Sequence, residues 1–188
     1  MPERRTRPGS SLKKEHGYGH SQMKLGQALQ RPPMRIRPVL VVEDFEPFRR
    51  FIRSMLQERP ELQVVCEVSD GLEAVQKAEE LQPDLILLDI GLPTLNGIEA
   101  ARRIRKLSPE SKILFVSQEP SADVVQKALS LGAAGYVLKA QAGSELLAAV
   151  ETVHQGKQFV SSGLAGHHLG NPCCGRWEGS SNGTFPDP

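Results

Sequence analysis

The sequence predicts an α/β protein, a doubly wound parallel sheet of five strands with helices on both faces. Between Val39 and Phe159, short runs of β-branched and other apolar residues alternate with segments whose apolar residues recur at helical spacing. Strict alternation of this kind, with right-handed crossovers, gives a parallel sheet between two layers of helices. In addition, Leu85 to Leu88 is a continuous apolar run, which is typical of a strand that is covered on both faces.

Five strands are predicted, and each is followed by one helix. The strands are residues 39–42, 64–68, 85–88, 113–116 and 136–138. The apolar faces of the helices fall within residues 48–56, 72–81, 98–104, 124–131 and 146–153. Pro47 suits the first turn of the first helix, and Gly132 can end the fourth helix in the left-handed conformation.

Charge and composition divide the chain into three parts. Residues 1–35 carry eight basic and two acidic side chains, residues 36–160 carry 14 and 18, and residues 161–188 carry one and two. The first part is predicted to be a basic, disordered extension, because Pro, Gly, Ser and charged residues dominate it without a periodic apolar face. Contact with nucleic acid through its positive charge is the alternative. Residues 36–160 are predicted to fold, and residues 161–188 to form a Gly-, Ser- and Pro-rich tail.

Composition argues against several classes of protein. The apolar set AVILMFWYC makes up 39% of the chain, in the range of a globular protein once glycine is added, yet no apolar run approaches the roughly 18 residues of a membrane span. The N-terminus lacks the apolar segment of a secretion signal, so a cytoplasmic protein is expected. The three cysteines indicate neither a disulfide framework nor a zinc site. Metal binding by His167, His168, Cys173 and Cys174 is the less favoured alternative for the tail.

Chemically reactive side chains follow four of the five predicted strands. Glu43 and Asp44 follow the first strand, Asp89 the third, Ser117 the fourth and Lys139 the fifth. A single Asp at a strand end is commonly a turn or a helix cap. Three acids, a hydroxyl and an ammonium at one edge of a sheet are harder to explain in this way, since clustered carboxylates raise one another's pKa and need a cation. In open α/β sheets, binding sites form beyond this edge.

The acids at this edge form a set of ligands suited to Mg²⁺. This small, hard cation prefers carboxylate and carbonyl oxygens and keeps several waters. Asp44 and Asp89 would bind it directly, Glu43 would do so through water, and a backbone carbonyl in the next loop, that of Gly91, would complete the protein ligands. The sequence therefore predicts Mg²⁺ as the cofactor.

The same edge has the parts needed for phosphoryl transfer. Asp89 could attack a phosphoryl group as a carboxylate nucleophile. The transferring group spreads negative charge over its oxygens, so it needs a metal on one side and donors on the other. Ser117 offers a hydroxyl after the fourth strand and Lys139 a positive charge after the fifth, whereas the acids follow the first and third strands.

Residues 36–160 resemble the receiver domain of bacterial two-component response regulators over nearly their whole length. The motifs that carry the resemblance are Glu43-Asp44 after VLVV, Asp89 with the following IGLP and Gly97, Ser117 after ILFV, and GYVLK at residues 135–139. The resemblance implies the flavodoxin-like strand order 2-1-3-4-5. It also implies transfer of a phosphoryl group, with Mg²⁺, from a histidine kinase phosphohistidine to Asp89. Apart from this self-phosphorylation on Asp, no enzymatic activity is expected.

The resemblance also implies a conformational switch, and the sequence departs from the family pattern at two positions. Tyr136 is expected to turn inward when Ser117 shifts toward a phosphoryl group, as the aromatic switch of the family does. Many receivers have a cis proline after the lysine, whereas Ala140 stands here. The residue after the strand-four hydroxyl is commonly small, whereas here it is Gln118.

Two main hypotheses remain for how the domain passes on its signal. Residues 132–139 resemble receivers that precede a helix-turn-helix domain, yet the 28 residues from Ser161 onward are too few and too unpatterned for such a core. The first hypothesis is a stand-alone receiver that signals by phosphorylation-dependent protein contacts or relays phosphoryl groups. The second is a remnant or truncated DNA-binding transcriptional regulator. A phosphohydrolase is disfavoured because Gly91 stands where a second carboxylate is needed, and a nucleotide-binding protein because no glycine-rich fingerprint follows the first strand.

The expected partners follow from the first hypothesis. They are a histidine kinase or a histidine phosphotransfer protein, together with a second copy of the chain in a homodimer through the fourth helix, fifth strand and fifth helix. Neither a membrane contact nor direct DNA binding is expected.

Overall fold

The computed structural model describes residues 35–164 and shows a parallel sheet of six strands. The strands are β1 (Arg37–Val42), β2 (Leu62–Val68), β3 (Leu85–Leu88), β4 (Lys112–Ser117), β5 (Gly135–Leu138) and β6 (Phe159–Val160). They lie in the order β2-β1-β3-β4-β5-β6, and every neighbouring pair is parallel. The α/β fold and the predicted order of the first five strands are confirmed.

Five helices cover the two faces of the sheet. They are α1 (Glu46–Leu56), α2 (Gly71–Leu81), α3 (Gly97–Leu107), α4 (Ala122–Ser130) and α5 (Ala142–His154). One apolar cluster, which includes Leu40 and Phe115, lies between the sheet and α2, α3 and α4. A second cluster, which includes Val39 and Leu87, lies between the sheet and α1 and α5. Successive strand residues point to opposite faces, so each strand contributes to both clusters.

The central strand is covered on both faces, as its continuous apolar run predicts. All four residues of β3 are fully buried, and β3 pairs with β1 on one side and β4 on the other. The residue that follows it, Asp89, therefore lies in the middle of the carboxyl edge of the sheet. None of the helices within residues 35–164 has both the length and the apolar character of a membrane span.

The structure differs from the sequence prediction after α5. Phe159 and Val160 form the short β6, which pairs with β5 and adds a sixth strand to the predicted five. Ser161, the first residue of the predicted tail, is fully buried, and Leu164 is 1% exposed. A strand of two residues has no visible alternation, and a serine buried through hydrogen bonds looks like a loop residue in a sequence. The rest of the predicted tail and the predicted extension lie outside the described residues.

Candidate functional site

Three carboxylates meet where β1 and β3 end. Val42 and Leu88 are register partners in these strands, so the residues that follow them, Glu43 and Asp89, become neighbours at the carboxyl edge. Glu43, Asp44 and Asp89 each offer an oxygen within 4.8 Å of the other two. Glu43 and Asp89 are buried, whereas Asp44 is exposed. The structure thus brings together the three acids that the sequence singles out.

Lys139 joins two of these acids. Its Nζ donates to Glu43 Oε1 at 2.8 Å and to Asp89 Oδ2 at 2.7 Å, and it lies 2.7 Å from Glu43 Oε2. β4 lies between β3 and β5, so the lysine side chain spans the end of β4 to reach Asp89. Its side chain is only 10% exposed, and charge-assisted bonds in such a setting are strong.

The pKa values of Glu43 and Lys139 are both raised, but for different reasons. Burial raises the pKa of Glu43, and its hydrogen bond with Lys139 only partly offsets this effect while the charge of Asp89 adds to it. Burial lowers the pKa of Lys139, but its hydrogen bonds with Asp89 and Glu43 outweigh that effect and raise the pKa above its usual value. A single ammonium does not compensate two buried carboxylates. An additional cation at this site would be favoured.

Two glycines allow the backbone to come close to Asp89. A Cβ at Gly97 would overlap the carbonyl oxygen of Asp89, so the start of α3 can lie against β3 only without a side chain. The Gly97 amide also donates to the Ile90 carbonyl at 2.9 Å. A Cβ at Gly91 would lie 3.7 Å from Asp89 Oδ2, so the absence of a side chain there leaves the approach to this oxygen open.

The site opens into a cavity of about 550 Å³. The predicted residues Asp44, Asp89, Gly91, Ser117 and Lys139 all line it. The cavity is also lined by Gln118, Phe45 and Glu119, so the unusual glutamine does border the access to Asp89. The volume is sufficient for a phosphoryl group with its metal and waters.

Ser117 and Tyr136 are connected through Glu119. The Glu119 amide donates to Ser117 Oγ at 3.2 Å, and Tyr136 Oη donates to the Glu119 carbonyl at 2.7 Å. The Tyr136 ring is fully buried and lies 6.2 Å from the ring of Phe115, centre to centre. The family resemblance implies that this ring turns inward on phosphorylation, whereas in the structure the ring is already inside, where the Glu119 carbonyl accepts from its hydroxyl.

Two residues that the sequence motifs do not indicate also border the site. The Lys139 Nζ lies 5.0 Å from the centre of the Phe48 ring, at a distance suited to a cation–π interaction. Arg49 Nη1 donates to the Glu43 carbonyl at 2.6 Å. Phe48 belongs to the helical period of α1 and looks like a core residue, so no local signal distinguishes it. A long-range contact of this kind appears only in the folded chain.

Comparison with known proteins identifies the family. The sequence pattern of the family described as "Response regulator receiver domain" matches residues 39–151, more than half of the chain. This chain belongs to that family. The matched residues contain all of the site residues named above. Proteins of this family act in two-component systems. Their receivers bind Mg²⁺ at an acidic pocket and serve as phosphoacceptors rather than as classical enzymes.

Curated relatives of this receiver domain are transcriptional regulators. The chain is 36% identical over 131 residues to the transcriptional regulatory protein LnrK of Bacillus subtilis, covering 70% of this chain and 60% of that protein. It is 35% identical over 122 residues to the transcriptional regulatory protein DegU of Brevibacillus brevis, covering 65% and 52%. The chain therefore spans little more than half the length of these relatives. The expectation of no direct DNA binding is not supported by relatives of this kind.

Solved structures confirm the fold of this receiver domain. A two-component response regulator of the LuxR family from Aurantimonas sp. is 32% identical, with a TM-score of 0.67, covering 70% of this chain and 94% of that one. The response regulator domain of Thermotoga maritima CheB is 37% identical, with a TM-score of 0.58, covering 64% and 96%. Each match covers nearly all of the compared chain and about two thirds of this one.

Proposed function

We propose that this receiver domain accepts a phosphoryl group on Asp89 from the phosphohistidine of a histidine kinase or histidine phosphotransfer protein. The observation that supports this most directly is the place of Asp89. It follows the central strand β3, contacts Lys139, and lines the same cavity as Ser117 and Gly91. Within residues 35–164, this is where a carboxylate, a buried ammonium and further acids come together.

The two oxygens of Asp89 have different environments. Oδ1 accepts a bond from the Ile90 amide at 2.7 Å, while Oδ2 contacts Lys139. In the proposed transfer, an Asp89 oxygen forms a bond to phosphorus as the phosphorus–nitrogen bond of the phosphohistidine breaks, and the imidazole leaves with the electron pair. The ammonium of Lys139 donates to Oδ2 of this carboxylate nucleophile at 2.7 Å. It would then hold an oxygen of the transferred group.

The acidic cluster fits Mg²⁺ in its donor chemistry. Three carboxylates lie close enough to share an ion, and burial raises the pKa of Glu43. Asp44, Asp89 and the Gly91 carbonyl would hold Mg²⁺ with Glu43 acting through water, and the ion would compensate the negative charge of the phosphoryl oxygens. Lys139 holds Glu43 and Asp89 together by hydrogen bonds to both.

Ser117 would report the arrival of the phosphoryl group. Its Oγ accepts a bond from the Glu119 amide, so its hydroxyl proton can be donated to a phosphoryl oxygen. A shift of Ser117 toward Asp89 would strain the Ser117–Glu119 bond, and Glu119 in turn holds the Tyr136 hydroxyl. The face formed by α4, β5 and α5 would then change its contacts with a partner protein or a second copy of the chain.

A labelling experiment tests the proposed function. The protein is incubated with acetyl phosphate and Mg²⁺, and its intact mass is measured. We expect the wild type to gain one phosphoryl group and Asp89→Asn to gain none, whereas the control Asp123→Asn, an exposed aspartate in the first turn of α4, should label fully. Labelling that survives in Asp89→Asn would refute the proposal.

A second candidate function is that of a DNA-binding transcriptional regulator. The relatives named as transcriptional regulatory proteins favour it, and the part of the chain that aligns with them is the receiver. A gel-shift titration of the whole chain, with and without acetyl phosphate, separates the two outputs. Phosphorylation-dependent DNA binding would favour the regulator, whereas phosphorylation-dependent self-association without a DNA shift would favour signalling by protein contact.

A further inference from the structure

Residues 161–163 contact both ends of the short turn that carries Lys139. This turn is a 3₁₀ helix of three residues, Lys139–Gln141. Just before it, the Leu138 amide donates to Ser161 Oγ at 3.0 Å. At its end, Gln141 Oε1 accepts a bond from the Gly163 amide at 3.2 Å. A 3₁₀ turn of this length makes few bonds of its own, so these two contacts restrain it from outside.

Glu145 in the first turn of α5 holds this segment in place. Ser161 Oγ donates to Glu145 Oε2, and the hydroxyl of Ser162 donates to Oε1 at 2.6 Å. Burial raises the pKa of Glu145, but the hydrogen bonds from Ser161 and Ser162 outweigh this and keep it below its usual value. The result is a chain of bonds from the Leu138 amide through the Ser161 hydroxyl to a carboxylate.

The segment is also attached to the sheet and to the core. The Ser161 amide donates to the Tyr136 carbonyl at 2.9 Å. Leu164 belongs to the same buried apolar cluster as Tyr136. Ser161 therefore cannot move away from β5 without breaking backbone contacts and exposing an apolar side chain, and its hydroxyl has a defined position opposite Leu138.

We propose that Ser161 and Glu145 are positioning residues for Lys139. They fix the end of β5, so that the Lys139 ammonium lies between Glu43 and Asp89. Ala140 places no proline restraint on the turn. Ser161, which is 23 residues from Leu138 along the chain, supplies a restraint together with Glu145 at the start of α5. This inference rests on the proposed function, because it assigns a role in phosphoryl transfer to residues that do not touch the transferred group.

The test compares two neighbouring serines in the full chain. Ser161→Ala removes the bond to Leu138, whereas the matched control Ser162→Ala removes a bond to the same carboxylate without touching β5. The second-order rate constant of Asp89 labelling by acetyl phosphate with Mg²⁺ is measured at a temperature where every variant is folded. We expect Ser161→Ala to be slower by about 2- to 10-fold, the effect of one net hydrogen bond. Ser162→Ala should stay close to the wild type.

Variants of Glu145 provide an independent check. Glu145→Gln keeps an oxygen that can accept from Ser161, whereas Glu145→Ala does not. Labelling by Glu145→Ala should be slowed like that of Ser161→Ala, and Glu145→Gln should recover most of the rate. NMR should show a shifted Lys139 ammonium signal in Ser161→Ala and Glu145→Ala, and an unshifted one in Ser162→Ala and Glu145→Gln.

The outcomes separate this inference from the proposed function. Equal rates for Ser161→Ala and Ser162→Ala would overturn the positioning role, and so would a Glu145→Gln variant as slow as Glu145→Ala. An unchanged Lys139 signal in all four variants would have the same meaning. Failure of the wild type to label on Asp89 would instead overturn the proposed function.

Discussion

The Nζ of Lys139 lies 2.7 Å from Oδ2 of Asp89, across the end of an intervening strand. The same nitrogen reaches Glu43, so one ammonium serves two buried carboxylates. The arrangement places charged groups in a buried site, where their removal from water costs free energy. The stability of the domain should therefore depend on the cations that bind there.

Removal of this ammonium should destabilise the domain. Lys139→Met leaves Glu43 and Asp89 buried without their shared partner, and we expect the free energy of unfolding at neutral pH to fall by about 1 to 3 kcal/mol. Mg²⁺ should restore more of the stability in the variant than it adds to the wild type. Urea unfolding with and without Mg²⁺ measures both effects. The exposed Lys127→Met on α4 is the control, and an equally small effect of both variants would contradict the prediction.

Loss of the Ser117 hydroxyl should separate phosphorylation from its readout. Ser117→Ala should still accept a phosphoryl group on Asp89, because the nucleophile and Lys139 are unchanged. The Glu119 amide loses its acceptor in this variant, so its hydrogen exchange should be fast in both states, whereas in the wild type phosphorylation should change it. Amide exchange by NMR measures this. A wild-type response in Ser117→Ala would show that another residue transmits the signal.

Truncation of Leu164 should reveal that the segment after α5 is part of the fold. Leu164 is 1% exposed and packs in the cluster with Tyr136. Leu164→Ala should lower the free energy of unfolding by about 2 to 5 kcal/mol, as for other buried leucines. Leu107→Ala, at a leucine that is 39% exposed, should cost much less in the same urea titration. Equal costs would place residues 161–164 in a loose tail.

His154 should make the domain less stable in mild acid. Burial, with Arg37 and Lys112 nearby, lowers the pKa of His154 from 6.5 to about 4, and its buried Nε2 has no hydrogen-bond partner within the described residues. Between these values the unfolded chain binds a proton that the folded chain does not, so this contribution to stability is present above about pH 6.5 and is lost as the pH falls toward 4.

A pH series of unfolding titrations checks the role of His154. The ring is only partly buried, so solvent screening limits the expected loss to on the order of 1 kcal/mol. His154→Gln should lack this part of the pH dependence while keeping the rest. Parallel curves for the two proteins between pH 6.5 and 4 would show that His154 titrates normally in the folded state.

Two features could be predicted from the amino-acid sequence alone. One is the edge of the sheet at which the site forms, and the other is the strand order, which the family resemblance implies. Apolar runs that alternate with helical periods can bury their faces only in a layered α/β fold. In a parallel sheet all carboxyl ends meet at one edge, so the position of Asp89, Ser117 and Lys139 at strand ends was enough to predict that they share a site. This prediction needs only the direction of the strands.

The pairing of those side chains became visible only in the folded chain. Lys139 reaches across β4 and pairs with Glu43 and Asp89, whereas Asp44 is exposed. The inward position of Tyr136 depends on the Glu119 carbonyl, 17 residues away along the chain. Ser161 is buried because Leu138 and Glu145 satisfy its hydroxyl. Hydrogen bonds between distant residues leave no periodic pattern in a sequence, since each depends on a single pair of atoms that meet only when the chain has folded.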